Sequence, residues 1–255
     1  NKAMKDNSAQ WFEYDWPLDG AMARFGADMA LIDADRAARP LLMYVSCQSR
    51  SEKRETLSAI ERSIASGVKD KLIKKLGALY AGYIEIDAQI QYYFYIHDAE
   101  EFERGETIAE KTPLMDCTAG LADEPDWLTY KTLLYPDAAK LQTELNRDHI
   151  ALMKKHGDCI GAVRRVTFTV YFPTESIMLN FAEAARKAGF AYAGPNYSPE
   201  RELAYGADIV RLSSLKKADV DALTTRVINL AAQYGGELGE WSAPIVDRGG
   251  PLNAI

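Results

Sequence analysis

The sequence is poor in the residues that build metal sites, disulfide scaffolds and phosphate-binding loops. Its 255 residues include only three cysteines and three histidines. Neither a CxxC nor an HExxH pattern occurs, and no glycine-rich loop of the GxGxxG or GxxxxGK[ST] type is present. The sequence therefore predicts no metal, no cofactor and no catalytic constellation, and we expect a protein that is not an enzyme.

Long apolar runs and a surplus of basic charge are also missing. No stretch approaches the roughly 18 apolar residues of a transmembrane helix. Residues 1–137 hold 16 basic and 24 acidic side chains, whereas residues 138–255 hold 14 and 13, so the net charges are −8 and +1. Because phosphate contacts need clustered lysine and arginine, we expect neither a membrane partner nor direct nucleic-acid binding.

The few cysteines indicate a reducing environment. Cys47, Cys117 and Cys159 are odd in number and far apart in sequence, which is typical of free thiols. Residues 1–10 are polar and do not resemble a secretory leader. We therefore expect a cytoplasmic protein.

Apolar periodicity predicts the element order β-α-β-β-α-β in each half of the chain. In the first half, after a hairpin within 11–25, strands are expected at 41–47, 79–86, 90–96 and 117–122, with helices at 51–76 and 97–110. In the second half, strands are expected at 165–172, 190–193, 207–212 and 237–241, with helices at 137–156, 174–188 and 217–234. Ser51, with Glu55 behind it, predicts the start of the first helix.

This order is that of the split β-α-β, or ferredoxin-like, arrangement. The fold class is therefore α+β, with two ferredoxin-like open-faced sandwich domains, antiparallel sheets and an extra N-terminal hairpin. The charge balance changes near Pro136. We expect one domain at 11–136 and a second at 137–246.

Aromatic residues form the most prominent candidate surface. Tyr93 and Tyr95 lie in a run that places aromatic rings on both faces of one strand, and Trp127 and Tyr130 are spaced as on one face of a helix. A packed core and a docked linker helix explain these four rings, and an aromatic ligand cleft between the domains is the alternative. Tyr171 and Trp241 in the second half complete the candidate interaction surface.

One short segment suggests nucleophilic chemistry. His156, Asp158 and Cys159 place an imidazole, a carboxylate and a thiol close together in sequence. The same residues suit the end of a helix, because histidine is favoured there by the helix dipole and Gly157 by the cap. Adjacency in sequence is not triad geometry, and we favour the helix end.

Two family resemblances cover nearly the whole chain. Residues 138–245 resemble the RraB family, the regulators of ribonuclease activity B. Residues 11–137 resemble the bacterial domain-of-unknown-function family 695. The markers of the first are residues 155–158, 171–172, 188–190 and 235–237 with Trp241; those of the second are Trp11, Tyr14, residues 93–95, residues 126–127, Tyr130 and Pro136.

The RraB resemblance implies a ferredoxin-like fold and inhibition of the endoribonuclease RNase E through protein–protein contact. Regulators of that kind are strongly acidic, whereas the matching half of this chain is nearly neutral. The leading hypothesis is a non-enzymatic interaction or regulatory protein whose partner is a protein, RNase E or another part of the RNA-degradation machinery. The alternative is a ligand-binding or enzymatic protein with a site in the aromatic cleft, and association into a homo-oligomer is compatible with both.

Overall fold

A computed structural model describes residues 9–51 and 53–247; residues 1–8, where the sequence predicts no leader, lie outside this part. The chain divides into two compact units, Asn1–Pro136 and Asp137–Ile255. Each unit contains one antiparallel sheet together with α-helices, so the α+β class is confirmed. Within the described residues, no helix has the length and apolar character needed to cross a membrane.

The first unit is built on a six-stranded sheet. Its elements are β1 (Trp11–Leu18), β2 (Ala21–Asp28), β3 (Leu41–Ser49), α1 (Ala59–Leu76), β4 (Leu79–Ile86), β5 (Gln89–Ile96), α2 (Ala99–Glu110) and β6 (Met115–Asp123). The strand order is β1-β2-β4-β5-β3-β6, with every neighbouring pair antiparallel. The predicted N-terminal hairpin therefore extends the sheet beyond β4, and β6 forms the opposite edge.

Both faces of this first sheet are covered, so the expectation of an open-faced sandwich is wrong here. Successive side chains of a strand point to opposite faces, and Tyr92 and Phe94 of β5 belong to the core that α1 and α2 cover. Tyr95, on the other face, belongs to a second core with Trp127 and Tyr130. The chain that follows β6 folds back under the sheet, where it ends in a π-helical turn, Tyr130–Leu134.

The second unit has a four-stranded sheet. Its elements are α3 (Ala138–Lys155), β7 (Arg164–Phe172), α4 (Glu175–Lys187), β8 (Ala191–Tyr197), β9 (Tyr205–Ser213), α5 (Lys217–Ala232) and β10 (Glu237–Ser242). The strand order is β10-β7-β9-β8, again antiparallel throughout. The strict alternation of β7 is confirmed, because Val166, Phe168, Val170 and Phe172 are all buried in one core.

Strand β8 is longer than the sequence predicts. Residues 194–197 contain Gly194 and Pro195, which favour a loop, yet they continue to pair with β9 after a register shift at Gly194. Gly194 has a φ of 144°, a backbone conformation that glycine tolerates best. Proline is compatible with this position because β8 is an edge strand, whose outward N–H groups need no partner in the sheet.

Helix α1 begins at a different capping pair from the predicted Ser51 and Glu55. Ser58 is the N-cap, and its hydroxyl oxygen accepts from the Glu61 backbone N–H, while the Glu61 carboxylate accepts from the Ser58 N–H at 2.8 Å. The same carboxylate also accepts from the Ser58 hydroxyl and from the Ser49 hydroxyl at the end of β3, both at 2.6 Å. The hydrogen bond from Ser49 has the largest effect on the pKa of Glu61, followed by those from Ser58. Together they lower this pKa to about 2.

Replacing Glu61 with glutamine is expected to change how the stability of the first unit depends on pH. The folded-state pKa lies below that of the unfolded chain, so ionised Glu61 stabilises the unit above about pH 4.3 and this contribution disappears as the pH falls towards about 2. The free energies of unfolding of the wild type and of Glu61→Gln should therefore converge over that interval. Glu55→Gln, which makes the same change in charge at an exposed position, provides the control. Native-state hydrogen exchange of peptides from β3 and α1 as a function of urea measures the first unit separately, and equal behaviour of the two variants across this pH range would contradict the assignment.

Candidate interaction surface

All six aromatic residues of the predicted interaction surface are buried. Their exposed fractions do not exceed 7%. Four of them belong to the second core of the first unit: Tyr93, Tyr95, Trp127 and Tyr130. An interaction surface made of these rings stays a prediction, and their burial favours the core interpretation over a ligand cleft.

The polar atoms of these rings are engaged inside the first unit. Trp127 stacks on Tyr95 with 4.1 Å between ring centroids, and its indole N–H donates to the Arg39 carbonyl at 2.8 Å. The Tyr95 hydroxyl donates to the Glu124 carboxylate at 2.7 Å, and the Tyr130 hydroxyl donates to a backbone carbonyl at 2.7 Å. Burial raises the pKa values of both tyrosines, so the phenols stay protonated as donors.

Trp241 is held by a buried polar network that joins three elements of the second unit. Its indole N–H donates to the Asn146 amide oxygen at 2.8 Å. The Asn146 amide nitrogen donates to Asp221 and to Thr224 of α5, both at 2.9 Å. The ring of His149 stacks on Trp241, and desolvation lowers the pKa of this histidine. Trp241 therefore ties β10 to α3 and α5.

Tyr171 lies on the face of the second sheet opposite the helices. The Arg201 guanidinium sits 4.0 Å from the centroid of its ring, in a cation–π arrangement. On the same face, the Thr169 hydroxyl donates to Asp208 at 2.7 Å, and Leu212 is 70% exposed. This face carries mixed charge and one exposed apolar side chain, so it presents no single-sign patch to a partner.

The segment that suggested a nucleophile is a structural clasp. Both carboxylate oxygens of Asp158 accept from one nitrogen of Arg164, at 2.6 and 2.7 Å. The same guanidinium also donates to the backbone carbonyls of Cys159, Ala162 and Pro244. With its carboxylate engaged by Arg164, Asp158 cannot orient His156 in a triad. Gly157 ends the helix with a φ of 88°, as the helix-end interpretation predicts.

The described residues offer no group of three or more histidine, cysteine, aspartate or glutamate side chains that could hold a metal ion. A groove of about 490 Å³ in the first unit is lined by Arg24, Arg62, Tyr83 and Glu85 among others. Both arginines of the groove already pair with carboxylates, since Arg62 contacts Glu85 at 2.7 Å and Arg24 contacts Asp15 at 3.3 Å and Glu13 at 2.8 Å. The Tyr83 hydroxyl donates to Glu13 at 2.6 Å, so this phenol is engaged as well.

The acidity of the first half is concentrated at one edge of its sheet. Residues 98–126, which contain α2 and β6, hold ten acidic and two basic side chains, a net of −8. The remainder of residues 1–137 is balanced, with 14 of each sign. Helix α2 packs against the edge strand β6. We call the surface of residues 98–126 the acidic edge. Its exposed carboxylates are those of Asp98, Glu100, Glu103, Glu110, Asp116, Asp123 and Asp126.

The sequence contains a signal for the acidic edge. The net charge of the first half as a whole gives no position for the acidic surplus, whereas a count in shorter windows isolates residues 98–126. That window becomes one surface only because the helix and the strand pack together. The acidic edge, with its exposed carboxylates, is therefore a better candidate for an interaction surface than the buried rings.

In the comparison with known proteins, the two halves match the models of different families. Residues 9–135 match the model of a family of unknown function, DUF695, and residues 143–243 match the model of RraB, regulator of ribonuclease activity B. No curated protein matches the chain. The crystal structure of an unknown protein from Galdieria sulphuraria matches 81% of this chain and 99% of its own, with 9% identity. Its TM-score of 0.22 is too low to inform the fold. Both resemblances predicted from the sequence are confirmed: the N-terminal half is similar to the DUF695 family and the C-terminal half to the RraB family.

Proposed function

We propose that this protein is a non-enzymatic regulator that acts by binding another protein, and that its partner is RNase E or a protein of the RNA-degradation machinery. The observation that carries the proposal is the match of residues 143–243 to the family of regulators of ribonuclease activity B. The engagement of Asp158 by Arg164 supports it further, because it removes the nucleophilic arrangement suggested by the sequence.

The proposed architecture consists of two ferredoxin-like domains at 11–136 and 137–246. In each unit the motif β-α-β-β-α-β places its fourth strand beside the first and its third beside the second, which supports this assignment. The strand orders are β6-β3-β5-β4 in the first unit and β10-β7-β9-β8 in the second. We place the protein in the cytoplasm, and its three free cysteines support this location.

In this proposal the two units have different tasks. The RraB-like unit is nearly neutral, so electrostatic attraction to a basic partner has to come from elsewhere in the chain. The acidic edge supplies it, with a net charge of −8 over residues 98–126. Clustered charge of one sign increases the rate at which an oppositely charged protein associates.

The direct test is a cleavage assay with purified full-length protein and RNase E from the same organism. The initial rate of cleavage of a labelled RNA is measured with increasing amounts of the protein, and complex formation is measured in parallel by analytical ultracentrifugation. We expect a saturable change in the rate and a complex of defined stoichiometry. If neither the rate nor the sedimentation of RNase E changes, RNase E is not the partner.

Reversing charge on the acidic edge is expected to weaken partner binding about tenfold at low ionic strength, because association is steered less strongly. The variant carries Glu103→Lys, Glu106→Lys and Glu110→Lys, all on α2. A control with the same change in net charge carries Glu55→Lys, Glu200→Lys and Glu202→Lys at exposed positions elsewhere. The control should bind within about twofold of the wild type, and the difference between the variants should shrink as salt rises. Equal loss in both variants would mean that net charge, and not the acidic edge, sets the affinity.

A further inference from the structure

Two of the three cysteines face each other across neighbouring strands. Cys47 of β3 and Cys117 of β6 are direct partners in the antiparallel register, although 70 residues separate them in sequence. Their sulfurs lie 2.8 Å apart and share a hydrogen bond. Direct cross-strand partners have Cα atoms about 4.5–5.5 Å apart, which falls within the range of about 4.4–6.8 Å found for disulfides. The Cα spacing typical of such partners is therefore compatible with a disulfide.

We infer that Cys47 and Cys117 form a dithiol–disulfide redox site that accepts two-electron oxidants of the peroxide class. The third cysteine, Cys159, lies in the other unit and takes no part. The site is independent of the proposed regulatory function, since it depends only on the register of β3 and β6.

The two thiols differ in access to an oxidant. Cys117 lies on the edge strand and is 8% exposed, whereas Cys47 lies on an interior strand and is fully buried. An oxidant therefore reaches Cys117 first, and Cys47 is placed to react with the oxidised sulfur.

The two thiols also differ in pKa, and the more accessible one ionises more readily. The hydrogen bond between the two sulfurs lowers the pKa of the Cys117 thiol, with help from the Thr112 hydroxyl and the Arg50 cation, against desolvation and the Asp116 charge. The hydrogen bond to Cys117 and burial raise the pKa of Cys47. The thiolate is the reactive form of cysteine, so Cys117 is the attacking group.

The chemical steps balance with hydrogen peroxide as the oxidant. The Cys117 thiolate attacks one peroxide oxygen, the O–O bond breaks, and hydroxide leaves to be protonated to water, which gives a sulfenic acid. The Cys47 sulfur then attacks the sulfenic sulfur, the S–O bond breaks, and the Cys47 proton leaves with that oxygen as a second water. Two thiols and one peroxide thus become one disulfide and two waters. A small dithiol reduces the disulfide back to two thiols by thiol–disulfide exchange and is itself oxidised to a disulfide.

The test treats the full-length protein with hydrogen peroxide and counts free thiols after alkylation in denaturant. We expect the count to fall from three to one, and a tryptic digest without reductant to contain residues 37–50 linked to residues 112–131. Cys159→Ser should form the same link at the same rate, and Cys117→Ser should form none. Dithiothreitol should restore the original count.

Three results would overturn the inference: a Cys117 oxidised to sulfinic acid without the link, a link involving Cys159, or unchanged thiols under conditions that oxidise the urea-unfolded chain. Phenylarsine oxide gives a second readout that does not depend on the serine variants folding. It joins two neighbouring thiols through one arsenic atom with loss of water, and it should protect Cys47 and Cys117 together from alkylation. Protection of only one thiol, or of neither, would equally contradict the pairing.

Discussion

Replacing Arg164 with methionine is expected to lower the free energy of unfolding of the second unit by about 3–5 kcal/mol. The side chains of Arg164 and Asp158 are only 3% and 0% exposed, so the substitution leaves a carboxylate buried without its counter-ion. It also releases the backbone carbonyls of Cys159 and Pro244, which the guanidinium holds on either side. The clasp joins the loop before β7 to the segment after β10, and both should loosen together.

The measurement is native-state hydrogen exchange of peptides from β7 and β9 as a function of urea. Exchange resolves the two units, whereas a global transition in a two-unit protein does not define a single free energy. The neighbouring Arg165→Met is the control, because Arg165 is exposed and should change stability by about 0.5 kcal/mol or less. A double variant, Asp158→Leu with Arg164→Met, should recover part of the loss, since it removes the buried charge as well. If Arg164→Met costs no more than Arg165→Met, the clasp does not stabilise the unit.

The regular elements were predictable because they follow local patterns. The apolar residues of β7 alternate with period two, and all four inward positions are buried. The aromatic residues of β5 lie on both faces, and they are buried in two cores, as the packed-core explanation expects, although the open-faced sandwich expected for this unit is wrong. The sequence predicted that a linker helix with Trp127 and Tyr130 docks onto a domain, but it did not indicate which face of the sheet this segment covers, because that depends on where the chain turns after β6.

Features set by contacts between distant residues were not predictable. Cys47 and Cys117 meet only because β6 pairs with β3 in one particular register. The cap of α1 involves Ser49, which belongs to β3 and whose approach depends on the fold of the sheet. In each case the residue types are ordinary, and the chemistry arises from strand order. The acidic edge is a single surface because α2 packs against β6, whereas the six aromatic rings are buried.

The acidic edge and the thiol pair meet on the same strand. Cys117 lies on β6 between Asp116 and Asp123, two of the exposed carboxylates of that edge. A disulfide to β3 would constrain β6 and leave its carboxylates unchanged. Partner association through the acidic edge should therefore keep its salt dependence in both redox states. Any change in affinity on oxidation would have to come from the reduced mobility of β6.

Replacing Trp127 with alanine is expected to destabilise the first unit by about 3–5 kcal/mol, the usual cost of removing a large aromatic side chain from a core. Trp127 is fully buried, stacks on Tyr95 and donates to the Arg39 carbonyl. Its removal therefore creates a cavity and leaves that carbonyl without its donor. The adjacent Leu128 is 60% exposed, and Leu128→Ala should cost about 0.5 kcal/mol or less. Exchange of the β5 amides as a function of urea measures both.

The backbone at Trp127 adds a second, sharper comparison. Its φ of 53° lies in the left-handed region, which costs an L-residue about 1–2 kcal/mol and glycine almost nothing. Trp127→Gly should therefore destabilise the unit no more than Trp127→Ala, the reverse of their usual order in regular elements. A ring that served a ligand cleft and not the core would behave differently, since either substitution would then change stability by less than about 1 kcal/mol while abolishing binding. A large loss with glycine no worse than alanine would place Trp127 in the core, with its backbone conformation imposed by the turn that carries the chain beneath the first sheet.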